Sequence, residues 1–89
     1  MIRRVFWRPD AIAAIRHLKR ESRDESRRIG WAIDRFTTSG LGDVKKLTGQ
    51  RGEFRLRVGD WRVRFTIDAE SQAMVILQIV RRNEATYRD

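Results

Sequence analysis

The chain has 89 residues, no cysteine, 20 Lys+Arg against 12 Asp+Glu and a formal net charge of +8 at pH 7. That length makes a single domain, residues 1–89, with room for one two-layer core. The composition excludes a disulfide scaffold and a cysteine zinc site; with no long apolar run and no signal segment, no membrane partner is expected and a cytoplasmic setting is the default.

Residues 2–7, Ile-Arg-Arg-Val-Phe-Trp, form a short β-prone run that Pro9 closes. Pro9 suits the first position of a helix, and Asp10 behind it favours the positive end of the helix dipole. Ala11, Ile15 and Leu18 follow at helical spacing, which predicts a helix over residues 9–20. Ser22-Arg-Asp-Glu25 is a capping-box pattern that restarts a helix after a tight break. Ile29, Ile33 and Phe36 mark the buried stripe of this second helix, which runs to about Thr38 before Ser39-Gly40 stops it. Val44-Lys45-Lys46-Leu47 then leads through Thr48-Gly49-Gln50-Arg51-Gly52 into a hairpin.

The hairpin, Phe54 to Phe65, is the most informative stretch. Apolar and polar residues alternate on both sides of Gly59-Asp60, the period-2 signature of half-buried strands. Glycine first in a two-residue loop suits a type II′ turn and makes Val58 the partner of Trp61. Arg57 then faces Arg62 and Arg55 faces Arg64, on a side that carries four guanidiniums and no carboxylate between 54 and 65. Cross-strand neighbours lie about 5 Å apart, and like charges directly opposite destabilise a sheet. Two readings fit: a solvated face whose arginine stems shield the core, or a surface that a polyanion covers and so relieves. Charge distribution favours the second. Lys45 to Arg64 holds seven bases against two acids, and 17 of the 20 bases are Arg, the side chain that grips phosphate in a planar fork.

After the hairpin, residues 68–73 read as a polar turn and Met74 to Val80 as a strand buried on both faces. The order is β-α-α-β-β-β, an α+β domain with a small antiparallel-rich sheet and two N-terminal helices packed on one face.

The residues exclude several chemistries. His17, the only histidine, lies among charged residues of the first helix, and the acids are scattered without metal-ligand spacing. No catalytic serine arrangement, glycine-rich phosphate loop or helix-turn-helix signature is present. No metal or other cofactor is expected. What remains is Arg, Lys and Tyr87. Cleavage of RNA needs little more, because the substrate brings its own nucleophile, the ribose 2′-hydroxyl. The protein must orient it, assist proton transfer and stabilise charge at phosphorus. Tyr87, with Arg81, Arg82 and Arg88 near it in sequence, could serve as the base, since neighbouring cations favour a phenolate; it could equally anchor the tail on the sheet.

Val44-Lys45-Lys46-Leu47-Thr48-Gly49, the hairpin Phe54-Arg55-Leu56-Arg57-Val58-Gly59-Asp60-Trp61-Arg62-Val63 and the C-terminal Arg81-Arg82-Asn83-Glu84-Ala85-Thr86-Tyr87-Arg88 together resemble the RelE/ParE superfamily of type II toxins. The resemblance spans the whole chain and implies the same fold order. Its RelE branch implies a toxin that enters the ribosomal A site and cuts mRNA without metal. The branch's basic residues fall on Arg55, Arg57, Arg62 and Arg81 and its tyrosine base on Tyr87, with Lys45, Lys46, Arg64 and Arg82 as further RNA contacts. The implied partners are the ribosome, mRNA and a cognate acidic antitoxin in a toxin–antitoxin hetero-oligomer. The chain reads Val80-Arg81-Arg82 where many relatives carry Gly-His-Arg, which separates it from the histidine-dependent members. A ParE-like inhibitor of DNA gyrase without nuclease activity is the alternative.

Overall fold

The computed structural model describes residues 2–49 and 52–81. Strand β1 (Arg4–Trp7) leads into helices α1 (Pro9–Glu21) and α2 (Arg23–Ser39). Strands β2 (Asp43–Lys46), β3 (Glu53–Val58), β4 (Trp61–Asp68) and β5 (Ala73–Arg81) follow. They form one sheet in the order β1-β5-β4-β3-β2, with β1 parallel to β5 and every other pairing antiparallel. The expected α+β class holds, and the sheet has one strand more than the sequence order counted. That strand is β2, whose Asp-Val-Lys-Lys has a single apolar residue and gives no periodic signal of its own. It exists because β3 offers it a pairing edge, Val44 opposite Leu56 and Lys46 opposite Phe54.

Both helices begin and end where their sequence signals lie. Pro9 opens α1 without a side-chain cap, while the Arg8 amide stays bound to the Ile76 carbonyl at 2.9 Å, so the chain leaves the sheet only at that residue. Ser22 ends α1 and caps α2 at once. Its amide donates to the Leu18 carbonyl at 2.7 Å, and its hydroxyl accepts from the Glu25 amide at 3.3 Å. Gly40 closes α2 in the left-handed conformation, φ 74°, returning its amide to Phe36 at 2.8 Å.

The core lies between the helices and one sheet face. Ala11 and Leu18 of α1 and Ile29 and Ile33 of α2 bury against Leu56, Val63, Phe65, Met74, Ile76 and Ile79. α1 packs on β5 and α2 reaches β3. Phe65 is fully buried at its centre, with the rings of Phe36 and Phe54 at 5.3 and 5.5 Å between centroids. Such aromatic contacts add about 1 kcal/mol beyond the area they bury.

Strand β5 departs from simple alternation. Arg64 pairs with Gln78, but Phe65 pairs with Ile76, so Leu77 is an extra residue bulged out of the ladder. The bulge shifts the side-chain phase by one. Met74 and Ile76 before it and Ile79 after it therefore all reach the helix side, although Ile76 and Ile79 are an odd number of residues apart. The run Met74 to Val80 reads as apolar on both faces because the phase changes within it.

Replacing Ser22 with Ala should cost about 1 kcal/mol of stability by removing the acceptor for the first turn of α2. The same change at half-buried Ser26, whose hydroxyl donates to the Arg23 carbonyl within its own helix, should change stability by less than about 0.5 kcal/mol. Urea unfolding of the two variants checks the difference.

Candidate nucleic-acid interface

The hairpin has the register the sequence predicts: Val58 pairs with Trp61, Arg57 with Arg62 and Arg55 with Arg64. Gly59 holds a φ of 59° at the turn, where a side chain would be strained. Extending the pairings to the flanking strands gives two cross-sheet rows on the side away from the helices. One runs Lys45, Arg55, Arg64, Gln78; the other runs Asp43, Arg57, Arg62, Val80.

The expectation that this face holds four guanidiniums without a carboxylate is corrected. The Arg55 guanidinium donates through Nη1 to the Asp43 carbonyl at 3.0 Å and to its carboxylate Oδ1 at 3.1 Å. Arg64 donates to the Glu53 carboxylate and, at 2.6 Å, to the Gln78 side-chain carbonyl. Glu53 stands two residues before Arg55 and so shares its face, one position outside the stretch in which the alternation is clearest. Asp43 arrives on the unanticipated strand β2. Arg55 is thereby buried, 8% exposed, and fastens β2 to β3. Arg64 and Glu53 are each less than one-fifth exposed at the side chain. The half of the face nearest Glu53 is thus neutralised from within.

The half nearest the turn differs. Arg57 is exposed and Arg62 half-buried, side by side at adjacent ladder positions. Lys45 is exposed on the same face, whereas Lys46 pairs with Phe54 and so belongs to the opposite, helix-bearing side.

Arg81 also lies on the helix side. The Leu77 bulge sets it opposite Trp61, with its guanidinium 4.9 Å from the Trp61 ring centroid and Nη2 at 3.9 Å from Glu25 Oε2 of α2. It shares the turn end of the sheet with Arg57 and Arg62 but not their face. Arg28 of α2 joins it there: a Cβ added at Gly59 would stand 3.2 Å from Arg28 Nη2. Neither Glu25 nor Arg28 was foreseeable at this end, because only the tertiary packing of α2 brings helix residues to the turn. Arg82 and Tyr87 lie outside the described residues. Among the described residues no three His, Asp or Glu side chains gather where they could hold a metal ion. No described helix is long and apolar enough to cross a membrane.

No protein-family model and no curated protein matches the chain in sequence. Solved structures do. A RelE–RelB complex from Pyrococcus horikoshii OT3 contains a chain 25% identical, superposing with a TM-score of 0.75 over 96% of this chain and 100% of that one. The chain is a member of the RelE/ParE superfamily. A YoeB/ParE toxin from Agrobacterium tumefaciens shares the fold at a TM-score of 0.78, with 15% identity over 89% of this chain and 98% of that one. The toxin–antitoxin complex RelBE2 from Mycobacterium tuberculosis shares it at 0.62, with 24% identity over 92% and 100% of the two chains.

The unequal burial of the arginines predicts unequal costs of removing them. Arg55→Ala should destabilise the fold by about 2 kcal/mol, through loss of charge-assisted hydrogen bonds to Asp43. Arg57→Ala should change stability by no more than about 0.5 kcal/mol. Equal losses in urea unfolding would contradict the contrast between a buried, bonded Arg55 and an exposed Arg57.

Proposed function

We propose that the protein is the toxin of a type II toxin–antitoxin pair and that it cuts mRNA in the ribosomal A site. The observation that carries this reading is the pair Arg57 and Arg62, set side by side at the turn end of the sheet face in a fold shared over 96% of the chain with a chain of a RelE–RelB complex. Two adjacent guanidiniums can span the oxygens of one phosphate and meet the charge that builds on phosphorus as the 2′-hydroxyl attacks. Arg81, stacked on Trp61 at the same end, can meet a neighbouring phosphate from the other side of the sheet.

In this mechanism Arg57 and Arg62 are the catalytic residues that stabilise charge, Arg81 assists them, and Tyr87 accepts the 2′-proton. Arg55 acts through the sheet: bonded to Asp43, it holds the strand from which Arg57 projects and is a positioning residue. Arg64, engaged by Glu53 and Gln78, has the same character, while Lys45 and Arg82 extend the RNA contact. Lys46, on the opposite side of the sheet, is not assigned to this contact. The chemistry proposed uses no metal. The partners are the ribosome, its message and an acidic antitoxin.

Arg62→Ala should abolish growth inhibition while leaving the fold intact, since the change also removes one of two like charges in register. A variant that stays fully toxic at equal expression would exclude the arginine pair as the active surface. Tyr87→Phe tests the base: it keeps the ring and deletes only the hydroxyl. General-base assistance is worth ~10²–10⁴ in rate, so single-turnover cleavage of a ribosome-bound message should fall at least a hundredfold at unchanged binding. Near-normal cleavage would leave charge stabilisation by the arginines as the whole mechanism. Supercoiling defects and double-strand breaks without transcript cleavage would instead mark a gyrase inhibitor.

A further inference from the structure

The far edge of the arginine face carries a second basic arrangement, built around an aromatic ring. Extending the ladder from β3 through β4 and β5 to β1 adds a third cross-sheet row on the side away from the helices: Glu53, Thr66, Val75 and Phe6. Phe6 is 51% exposed. The other large apolar side chains exposed among the described residues lie elsewhere: Trp31 on α2, Leu41 in the loop after it, and Ile67 opposite the core residue Met74 on the helix side. Strand parity sets Arg4 on the same side of β1 as Phe6. Arg8 follows with that parity, extended at φ −69° and ψ 156° and still bonded through its amide to the Ile76 carbonyl. Both arginines are exposed. The edge strand thus presents cation, ring, cation, with about 6.7 Å between successive side chains.

Two observations separate this arrangement from an ordinary solvated edge. Edge strands are commonly blunted by charge, so the arginines alone would read as protection against pairing with another chain. An exposed phenylalanine between them works against that purpose, because it adds apolar surface to the same edge. The second observation is continuity with the arginine pair. Half-buried Val75, Thr66 and Gln78 and buried Val80 lie between Phe6 and Arg62, all on one side of the sheet. The acids along this path are engaged. Glu53 accepts from Arg64, and Asp68 accepts from the Glu70 amide at 3.1 Å and the Ser71 hydroxyl at 2.9 Å. Among the described residues neither Arg4 nor Arg8 meets a carboxylate within 4.0 Å. From strand spacing and rise, Phe6 stands roughly 17 Å from Arg62.

We propose that Phe6 is a stacking platform for an unpaired base of single-stranded RNA, with Arg4 and Arg8 taking the phosphates on either side of it. A ring face offers every base the same contact, so the site fixes the path of the strand without reading its sequence. The flanking guanidiniums supply the backbone contacts that such platforms use. The strand runs from Arg57 and Arg62 across Val80, Gln78 and Val75 to the edge of the sheet. The proposal rests on the reading of the arginine pair as the RNA-cutting surface, and it adds the direction in which the uncut message lies. Double-stranded RNA has no free base to present here. A pairing protein strand would use the backbone edge of β1 and leave this face bare.

The test uses 2′-O-methyl RNA, which lacks the nucleophile and so stays intact, as a single-stranded octanucleotide and as the same octanucleotide in a duplex. NMR of the full chain reports the backbone amides and the Phe6 ring. The single strand should shift Phe6 and Val75 as well as Arg57 and Arg62. Phe6→Leu, which keeps an apolar side chain but no ring, should weaken it about tenfold, while Phe6→Trp should bind at least as tightly as the parent. Urea unfolding of both variants should match the parent. The double change Arg4→Ala/Arg8→Ala should lower the slope of log affinity against log salt by about 1.4, for two phosphate contacts. All these variants keep Arg57, Arg62 and Tyr87, so cleavage at saturating message should retain the parent rate and the loss should fall on affinity. Four results would overturn the proposal with the cutting reading intact: shifts confined to Arg57 and Arg62, undiminished binding by Phe6→Leu, the duplex held at Phe6 as tightly as the single strand, or Phe6 shifts that grow with protein concentration without RNA and so mark a contact between copies. No binding at either place would overturn both readings. Shifts at Phe6 with none at Arg57 and Arg62 would uphold the platform and remove the arginine pair as the cutting surface.

Discussion

Two guanidiniums, Arg55 and Arg64, lie side by side in the middle of the sheet, and the structure depends on how their charge is met. Asp43 and Glu53 supply the counter-charge from the two ends of the same region of chain, one on strand β2 and one at the start of β3. Those bonds do more than cancel repulsion. Because Arg55 also donates to the Asp43 backbone carbonyl, the edge strand β2 is held by side chains as well as by its short ladder. Four residues of pairing with one inward apolar side chain would be a weak edge alone. The ion pairs fix that edge and thereby fix the plane from which Arg57 and Arg62 project.

The sheet thus separates roles along a single pair of strands. Toward Glu53, arginine is architecture, with its charge consumed internally. Toward the Gly59 turn, Arg57 in the same alternation is exposed. The end of the molecule where Arg57, Arg62, Arg81 and Arg28 collect is built from both sheet faces and from α2. A bound polyanion could therefore wrap the tip of the hairpin.

Much of this was legible in the sequence, for local reasons. Strict period-2 alternation around a two-residue glycine turn leaves one register, and the arginine pairs followed from it. Ser22 with Glu25, and Gly40 after Ser39, placed the helix joints because caps are short-range chemistry. The illegible parts are those decided at a distance. Strand β2 has no pattern until β3 lends it an edge. The partners of Arg55 and Arg64 depend on which residues flank the hairpin in space. The face occupied by Arg81 depends on a bulge that a continuous apolar run conceals.

Leu77 gives strand β5 two frames in one element. Residues 73–76 and 78–81 each alternate correctly, but with opposite parity, and only the odd residue between them lets both halves bury their apolar side chains in a common core. The strand therefore tolerates a change of length at Leu77 and not elsewhere. Removing Leu77 would restore an unbroken ladder with every pairing kept, Ile79 opposite Val63 and Arg81 opposite Trp61. An insertion between 78 and 80, with the N-terminal half held in place, would turn Ile79 out to solvent and Arg81 onto the face of Arg57 and Arg62. One added residue there would redraw the charge map of the whole tip without altering the identity of any of its arginines.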